Sequence, residues 1–188
     1  MDDIEHRIAE RLKQLRQAQG WTLEQLAERS GVSRAMISRI ERHESSPTAG
    51  LLARLSDALG VTMSQLMGET GSRHAVIRVD QQLQWRDPAT GYLRRLVSPP
   101  GGEGDIEIVA IELPAGATVQ LDALTGIRYE QQVLVLQGQL RLHLAGEPLE
   151  LQPGDCARMP IDQPHGFENP SRELTRYLVV LRKTGAPA

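Results

Sequence analysis

Four arginines, Arg29, Arg34, Arg39 and Arg42, are concentrated within a short stretch of the N-terminal half of the chain. A guanidinium group can donate two hydrogen bonds to O6 and N7 of guanine, so arginine is well suited to distinguish one base pair in the DNA major groove. The same group can also contact a phosphate or remain a solvated surface charge. The stretch is therefore a candidate nucleic-acid contact whose role depends on the element that carries it.

A second group of candidate residues lies in the C-terminal half. An alternating pattern that begins at Tyr129 predicts a strand with Tyr129, Gln131, Val133 and Val135 on one face, which we expect to point inward. With His165, these side chains could supply convergent hydrogen bonds above an aliphatic floor, which is how small-molecule sites are usually built. The alternative is that His165 is a structural histidine with satisfied hydrogen bonds and that Tyr129 is a core aromatic.

Arg128, next to Tyr129, is the candidate for binding a carboxylate of a ligand, and its alternative role is that of a solvated surface charge. The predicted ligand-binding residues are Arg128, Tyr129, Gln131, Val133 and His165. None of them selects one ligand over another.

The composition excludes several classes of protein. The 188 residues include 21 basic and 24 acidic side chains, and a formal net charge of -3 argues against indiscriminate binding to nucleic acid or to an anionic membrane. The single cysteine, Cys156, excludes an internal disulfide framework and a cysteine-based zinc site, and we expect it to be a small buried side chain. The acidic N-terminus and short apolar runs predict neither a signal peptide nor a membrane span, and hence a cytoplasmic protein.

Apolar residues at helical spacing over residues 5–67 predict five short helices. Residues that typically begin or end helices punctuate this region at Gly20, Thr22, Ser33, Thr48, Gly60 and Thr62. The N-terminal part is therefore expected to be a helical bundle.

The stretch 23–42 has the pattern of a helix-turn-helix. Ala27 is small where the two helices would cross, and Gly31 occupies the turn, where a positive φ is needed and glycine adopts it without steric cost. The apolar residues that would lock the second helix onto the first are Leu26, Val32, Ile37 and Ile40. The alternative is a plain helical bundle that uses this connection without contacting DNA.

Beyond Met67 the pattern changes to alternating strands separated by turns rich in glycine and proline, which predicts an antiparallel sandwich or small barrel. We expect a helical domain at 1–68, a linker at 69–74 and a β domain at 75–188. The predicted strands are 74–79, 105–113, 129–136, 140–144, 156–160 and 175–181.

The N-terminal part carries short motifs at fixed positions, namely Leu-Arg-Gln at 15–17, Trp-Thr-Leu at 21–23, Leu-Ala at 26–27, Gly-Val-Ser at 31–33 and Ile-Glu at 40–41. On these motifs, residues 12–67 resemble the phage-repressor type of DNA-binding domain, also called the Cro/C1 or XRE type. The resemblance implies an internal ion pair between Arg16 and Glu41.

In such domains the N-terminal part of the third helix enters the major groove. The residues that the resemblance places at base edges are Ser33, Arg34, Ala35, Ser38 and Arg39. Arg34 and Arg39 are the strongest candidates for reading guanine, and Ala35 could contact a thymine methyl. The residues expected at phosphates, from helix starts and the loop after the third helix, are Thr22, Arg42, His43, Ser45 and Ser46.

Two blocks in the C-terminal half, 114–138 and 153–169, resemble a cupin, a small double-sheet barrel. In metal-bearing cupins these blocks supply three histidines and a glutamate to a divalent metal. Here Gln131 stands at the glutamate position, residues 124–127 contain no histidine, and only His165 matches. Glu130 is one residue away, which in a strand points to the opposite face. We therefore expect no metal, no cofactor and no enzyme activity.

Together the two parts resemble the XRE–cupin transcription regulators of bacteria. This resemblance implies a homodimer that binds operator DNA and whose cupin domain senses a small metabolite of the amino acid, amine or sulfur compound class. Two alternatives stay open at this point, namely a metal-dependent cupin enzyme with an attached regulatory DNA-binding module and a protein–protein adaptor. Repression and activation are equally compatible with the sequence.

Overall fold

Five helices form the N-terminal part of the protein, as the sequence predicts. The structure, a computed structural model, describes residues 2–68, 76–99, 106–126, 129–144 and 148–184, with only the backbone of Asp2 and Asp3. The helices are α1 (Asp2–Ala18), α2 (Leu23–Ser30), α3 (Arg34–Glu41), α4 (Ala49–Leu59) and α5 (Met63–Leu66). The predicted linker at 69–74 and Arg128 lie outside the described residues.

Capping side chains set the helix boundaries. At the start of α2, Thr22 Oγ1 accepts a hydrogen bond from the Gln25 N–H at 3.2 Å, and Gln25 Oε1 accepts one from the Thr22 N–H at 2.8 Å. Gly31 ends the helix in the left-handed conformation with φ at 65°. The turn between α2 and α3 is therefore encoded locally, and Leu26 and Ile37 pack into a common core beneath it.

A half-buried ion pair ties α1 to α3. Arg16 donates from Nε and Nη2 to the two carboxylate oxygens of Glu41, at 2.7 Å each, and from Nη1 to the carbonyl of Trp21 at 2.8 Å. The hydrogen bonds with Glu41 raise the pKa of Arg16. This pair confirms the internal contact that the sequence predicts.

Ten strands form two antiparallel sheets in the described residues of the C-terminal part. They are β1 (Gln84–Arg86), β2 (Leu93–Leu96), β3 (Ile106–Leu113), β4 (Thr118–Leu121), β5 (Tyr129–Gln137), β6 (Leu140–His143), β7 (Leu149–Leu151), β8 (Cys156–Met159), β9 (His165–Glu168) and β10 (Thr175–Lys183). The order is β1-β2-β3-β10-β5-β8 in the larger sheet and β4-β9-β6-β7 in the smaller one. Within the described residues the two sheets share no strand pairing.

The two sheets face each other across an apolar core, in which the rings of Phe167 and Tyr177 stack at 5.5 Å. A helical bundle followed by an antiparallel double-sheet domain confirms the predicted fold class. Nowhere in the part of the chain that the structure describes is a helix long and apolar enough to cross a bilayer.

Three expectations are wrong. The strand predicted at 74–79 is instead, in its described part, irregular chain leading into a 3-10 turn at Val79–Gln81. The sequence also gave no sign of β1, β2, β4, β7 and β9, each of which has only three or four residues. Cys156 is exposed rather than buried, because it lies on the outer face of β8.

Helix α4 joins the two parts of the molecule at both of its ends. The Ala49 N–H donates to Asp87 Oδ1 at 3.3 Å at the start of the helix, where the dipole favours a carboxylate. Near its end, Asp57 Oδ1 accepts a hydrogen bond from the Gly126 N–H at 2.7 Å. A Cβ atom at Gly126 would collide with the backbone of Asp57, so this close approach requires glycine.

A buried polar network forms a second connection. The carboxylate of Glu107 in β3 accepts hydrogen bonds from Thr62 Oγ1 at 2.9 Å and from Ser64 Oγ at 2.6 Å, both at the start of α5. Arg94 in β2 donates from Nη2 to the same carboxylate at 3.1 Å and to Ser64 Oγ at 3.2 Å. All four side chains are buried. The helical part is therefore docked on the β part through two hydroxyl groups that hydrogen-bond to a buried ion pair.

Replacing Arg16 by methionine would leave the carboxylate of Glu41 largely buried without its partner. We expect the free energy of unfolding to fall by about 2 kcal/mol, measured by urea denaturation. The matched control is R42M, because Arg42 forms a fully exposed pair with Glu44 at 2.8 Å and its loss should leave the unfolding midpoint unchanged. Equal effects of the two substitutions would contradict the structural role of the Arg16–Glu41 pair.

Candidate DNA-binding surface and ligand cavity

The predicted base-reading residues lie on the solvent-facing side of α3. Arg34, Ala35 and Arg39 are exposed and Ser38 is half-buried, whereas Ile37 and Ile40 on the opposite side are fully buried. Residues three or four positions apart share one face of a helix, so the four polar-face residues form a continuous stripe. The helix therefore presents a surface with the residue types that a major groove requires.

The start of α2 lies beside the start of α3. Arg34 Nε is 2.6 Å from Glu24 Oε1, and both side chains are exposed. A hydrogen bond from its own backbone N–H lowers the pKa of Glu24, so this carboxylate stays ionised. In the free protein Arg34 is thus held by an exposed ion pair, which a stronger acceptor can displace at little cost.

The predicted phosphate contacts divide into two groups. Thr22 acts as a helix cap, since its side-chain oxygen accepts a backbone N–H group, and its hydroxyl also hydrogen-bonds to the carboxylate of Glu24. Ser33, from the predicted base-reading set, caps α3 in the same way. Ser46, in contrast, donates to Glu5 Oε1 at 2.6 Å, and the ring of His43 stacks on that of His6 at 4.3 Å. The loop after α3 is therefore packed against α1.

A cavity of about 660 Å³, including the part open to solvent, lies between α4 and the β domain. The predicted residues Tyr129, Gln131 and His165 line it together. Val133 is fully buried in the sheet and does not line the cavity. The other lining residues are Ala49, Ala53, Ser56, Thr62, Met63, Tyr92, Arg94, Val119, Leu121, Leu124, Ile161, Phe167, Val179 and Leu181.

His165 is a neutral imidazole in this cavity. Burial lowers its pKa, although a hydrogen bond to the carbonyl of Gln163 acts in the opposite direction. Nδ1 lies 3.0 Å from that carbonyl oxygen, which only accepts, so the proton is assigned to Nδ1. Nε2 is then left as a hydrogen-bond acceptor. One nitrogen of His165 thus holds the ring in place, and the other can accept a hydrogen bond.

Sequence analysis missed the cavity residues that come from outside 128–165. Ala49, Ala53 and Ser56 lie on one face of α4 and close the cavity from the helical domain. Tyr92, just before β2, and Arg94 within it also line the cavity, and the strand sequence Leu93-Arg94-Arg95-Leu96 shows no alternation that would tell which arginine points inward. The one local sign of a buried polar group here was the pair of arginines between two leucines.

Arg94 belongs to a row of side chains across the larger sheet. Cross-strand pairing places Trp85 opposite Arg94, Arg94 opposite Ile111, and Ile111 opposite Tyr177, all with buried side chains. Three donor atoms in this row, Trp85 Nε1, Arg94 Nε and Tyr177 Oη, are buried without a hydrogen-bond partner. A buried polar atom without a partner is costly, so these atoms mark a place where an acceptor is missing.

The residues expected at a cupin metal site are not assembled here. Among described residues, no group of three or more histidine, cysteine, aspartate and glutamate side chains could hold a metal ion. Glu130 lies on the outer face of β5, where it binds Arg158 and Arg182 at 2.8 Å each. The opposite-face position that the sequence predicts for Glu130 is therefore confirmed.

Comparison with known proteins matches both parts of the chain to sequence families. A helix-turn-helix family matches residues 12–66 and a cupin domain family matches residues 128–181. The HTH-type transcriptional regulator SutR of Escherichia coli K12 is 30% identical over 177 residues, which cover 94% of this chain and 95% of SutR. The HTH-type transcriptional regulator PuuR of the same organism is 26% identical over 175 residues, covering 89% and 90% of the two chains.

The fold as a whole is also found in a solved structure, an HTH_3 family transcriptional regulator from Vibrio cholerae. It superposes with a TM-score of 0.81 at 24% sequence identity and covers 97% of this chain and 98% of its own. The two-part architecture therefore recurs as a unit.

Acidification should destabilise the protein through His165. A histidine whose folded-state pKa is lowered contributes stability that is present above its ordinary pKa, near 6.5, and lost as the pH falls through the folded-state value. We expect the difference in Tm between wild type and H165Q to become smaller between pH 7.5 and pH 5. The measurement is thermal denaturation at both pH values, and a difference that grows at pH 5 would contradict the assignment.

Proposed function

This chain belongs to the HTH-type transcriptional regulators that join a helix-turn-helix to a cupin domain, and we propose that it binds its operator as a dimer whose affinity for DNA changes when a small metabolite enters the cavity. The observation that carries the proposal is the cavity wall itself, which is built from both domains. The metabolite class expected from the resemblance is an amino acid, an amine or a sulfur compound. The protein is expected to act in the cytoplasm.

The exposed stripe of α3 supports operator-specific binding. Arg34 and Arg39 supply guanidinium groups for guanine, and Ala35 between them leaves room for a thymine methyl. Residues 1–68 contain nine basic and nine acidic side chains, so the domain has no net charge to hold it on random DNA. Its affinity for non-specific sequence should therefore be weak, and all of its binding should fall as salt rises.

A dimer would supply the second half-site that a single small domain needs for specificity, at a spacing of about 34–36 Å. The outer face of the larger sheet supports one. Ala110, Leu178 and Leu134 lie opposite one another on neighbouring strands and continue to Cys156, and Leu136 beside them is 52% exposed. An apolar face of this kind pairs well with its own copy about a two-fold axis.

The sensing role rests on differential binding. A metabolite shifts DNA affinity only if it binds the DNA-competent arrangement with a different affinity from the other arrangement. Because α4 closes the cavity, an occupant would contact the DNA-binding domain directly. The docked interface of α4 and α5 on the β domain is the element whose geometry an occupant would change.

Substitutions on α3 separate base reading from phosphate binding. We expect R34A or R39A to weaken operator binding by about 1–3 kcal/mol and to relax preference at one base pair. R42A should weaken binding to all DNA sequences alike and reduce the salt dependence of the affinity. The test is a footprint and a fluorescence titration on an operator selected from the protein's own upstream region, compared with random duplex. Equal losses of R34A on both duplexes would exclude Arg34 from base reading.

A further inference from the structure

Arg94 is a buried cation on the wall of the cavity. It is the one arginine, lysine, aspartate or glutamate among the described residues that line the cavity, and only 5% of it is exposed. Its Nη2 group is used by Glu107 and Ser64, while Nε has no acceptor. A guanidinium whose N–H is left unpaired in a buried site favours an occupant that supplies an acceptor.

The surroundings of Arg94 contain more donors than acceptors. Tyr92, which directly precedes β2, lines the cavity two residues before Arg94. Trp85 and Tyr177 belong to the same cross-strand row as Arg94 but lie behind the cavity wall, and each carries an N–H or O–H without a partner. Burial raises the pKa of Tyr92 and of Tyr177, although the charge of Arg94 lowers both and a hydrogen bond from Arg94 also lowers that of Tyr92, so both phenols retain their protons and can donate them. A group that only accepts hydrogen bonds fits this end of the cavity.

The rest of the cavity wall is apolar. Aliphatic and aromatic side chains line it from both sheets and the loops between them, and they are Val119, Leu121, Leu124, Ile161, Phe167, Val179 and Leu181. On the opposite side α4 contributes Ala49 and Ala53. An occupant therefore needs an aliphatic body beside its acceptor group.

The carboxylate of Glu107 has hydrogen-bond donors other than Arg94. Thr62 and Ser64 donate to its two carboxylate oxygens at 2.9 and 2.6 Å. These hydroxyls come from the helical domain, whereas Glu107 and Arg94 come from the β domain. An anion that drew Arg94 toward the cavity would weaken its ion pair with Glu107 and remove the Arg94–Ser64 hydrogen bond across the domain boundary. Glu107 would keep its hydrogen bonds from Thr62 and Ser64, and the anion must bind Arg94 strongly enough to offset the weakened pair.

We propose that the cavity binds a small carboxylate with an aliphatic body, that Arg94 holds the carboxylate, and that the resulting loss of the Arg94–Ser64 contact changes how the DNA-binding domain docks. This inference rests on the proposed sensing function and names the ligand class and the residue that transmits its binding. Arg94 lies in the wall that the cupin resemblance did not indicate. The aliphatic body contacts α4, so carboxylate binding and DNA binding share one interface.

The ligand class is tested by calorimetry on the full-length protein. The probes are straight-chain and branched monocarboxylates of about four to eight carbons, each compared with its primary amide. We expect at least one acid to bind about tenfold more tightly than its amide. R94K keeps the charge but lacks the planar fork, so this preference should fall by about tenfold. The matched control is R95K, because Arg95 points to the opposite face of β2 and donates to Gln82 Oε1 at 2.8 Å.

Two further variants test the anchor and the position of the aliphatic body. The double variant R94Q/E107Q removes both charges together, avoids an unpaired buried carboxylate, and should bind acid and amide alike if Arg94 is the anchor. A53L adds bulk to the cavity wall from the helical domain, so it should weaken binding of the acid and of the amide equally. The Tm of the variant checks that it is folded. Acid binding that is unchanged in R94K and R94Q/E107Q, or in A53L, overturns the proposal.

Operator titration separates failure of this inference from failure of the proposed function. The bound acid should change the operator Kd by about threefold or more, in either direction, for wild type and R95K but not for R94K. A wild-type protein that binds no operator sequence specifically would contradict the regulator function, whatever the calorimetry shows. Specific operator binding with no effect of any acid, or with no acid bound, would overturn the carboxylate proposal alone.

Discussion

The docking of the two domains depends on one buried carboxylate, that of Glu107. An ionised carboxylate cannot be removed from water without several compensating partners, because an unpaired buried charge costs several kcal/mol. Here the partners come from both sides of the boundary, since Thr62 and Ser64 belong to the helical domain and Arg94 to the β domain. Neither domain alone satisfies Glu107, and the shared network holds the start of α5 against the sheet.

The cavity is a consequence of that docking. With α5 held, α4 lies across the mouth of the β domain, fixed at one end through Asp87 and at the other through Asp57. Helix α4 packs on α2, and α2 begins beside Arg34 of α3. The wall of the cavity is thus separated from α3 by one layer of packed helix, and this layer is a short contiguous path between the docked interface and the exposed face of α3.

Local rules predicted the helical domain closely because its boundaries are chemical and short-range. Thr22, Ser33, Thr48 and Thr62 each cap a helix as expected, and Gly31 and Gly60 end helices with positive φ. The inward face of β5 was equally readable, since nine residues are enough to show a period of two. A strand of three or four residues shows too little of a period to be recognised regularly, so five of the seven described strands of that length, and with them the cavity wall from β2, were missed.

The sequence by itself determined what is set within a few residues of the chain, namely helix ends, the helix-turn-helix, the exposed face of α3 and the inward alternation around Gln131. It also indicated that Gln131 stands where metal-bearing cupins have a glutamate, because that is a matter of residue type and spacing. Only the tertiary structure decided that Arg94 rather than Arg95 is buried, that Ala49 and Ala53 complete the cavity, and that Glu107 binds hydroxyls more than 40 positions away in the chain. These contacts arise from the packing of distant elements, and no local pattern specifies which polar side chain meets which across a domain boundary.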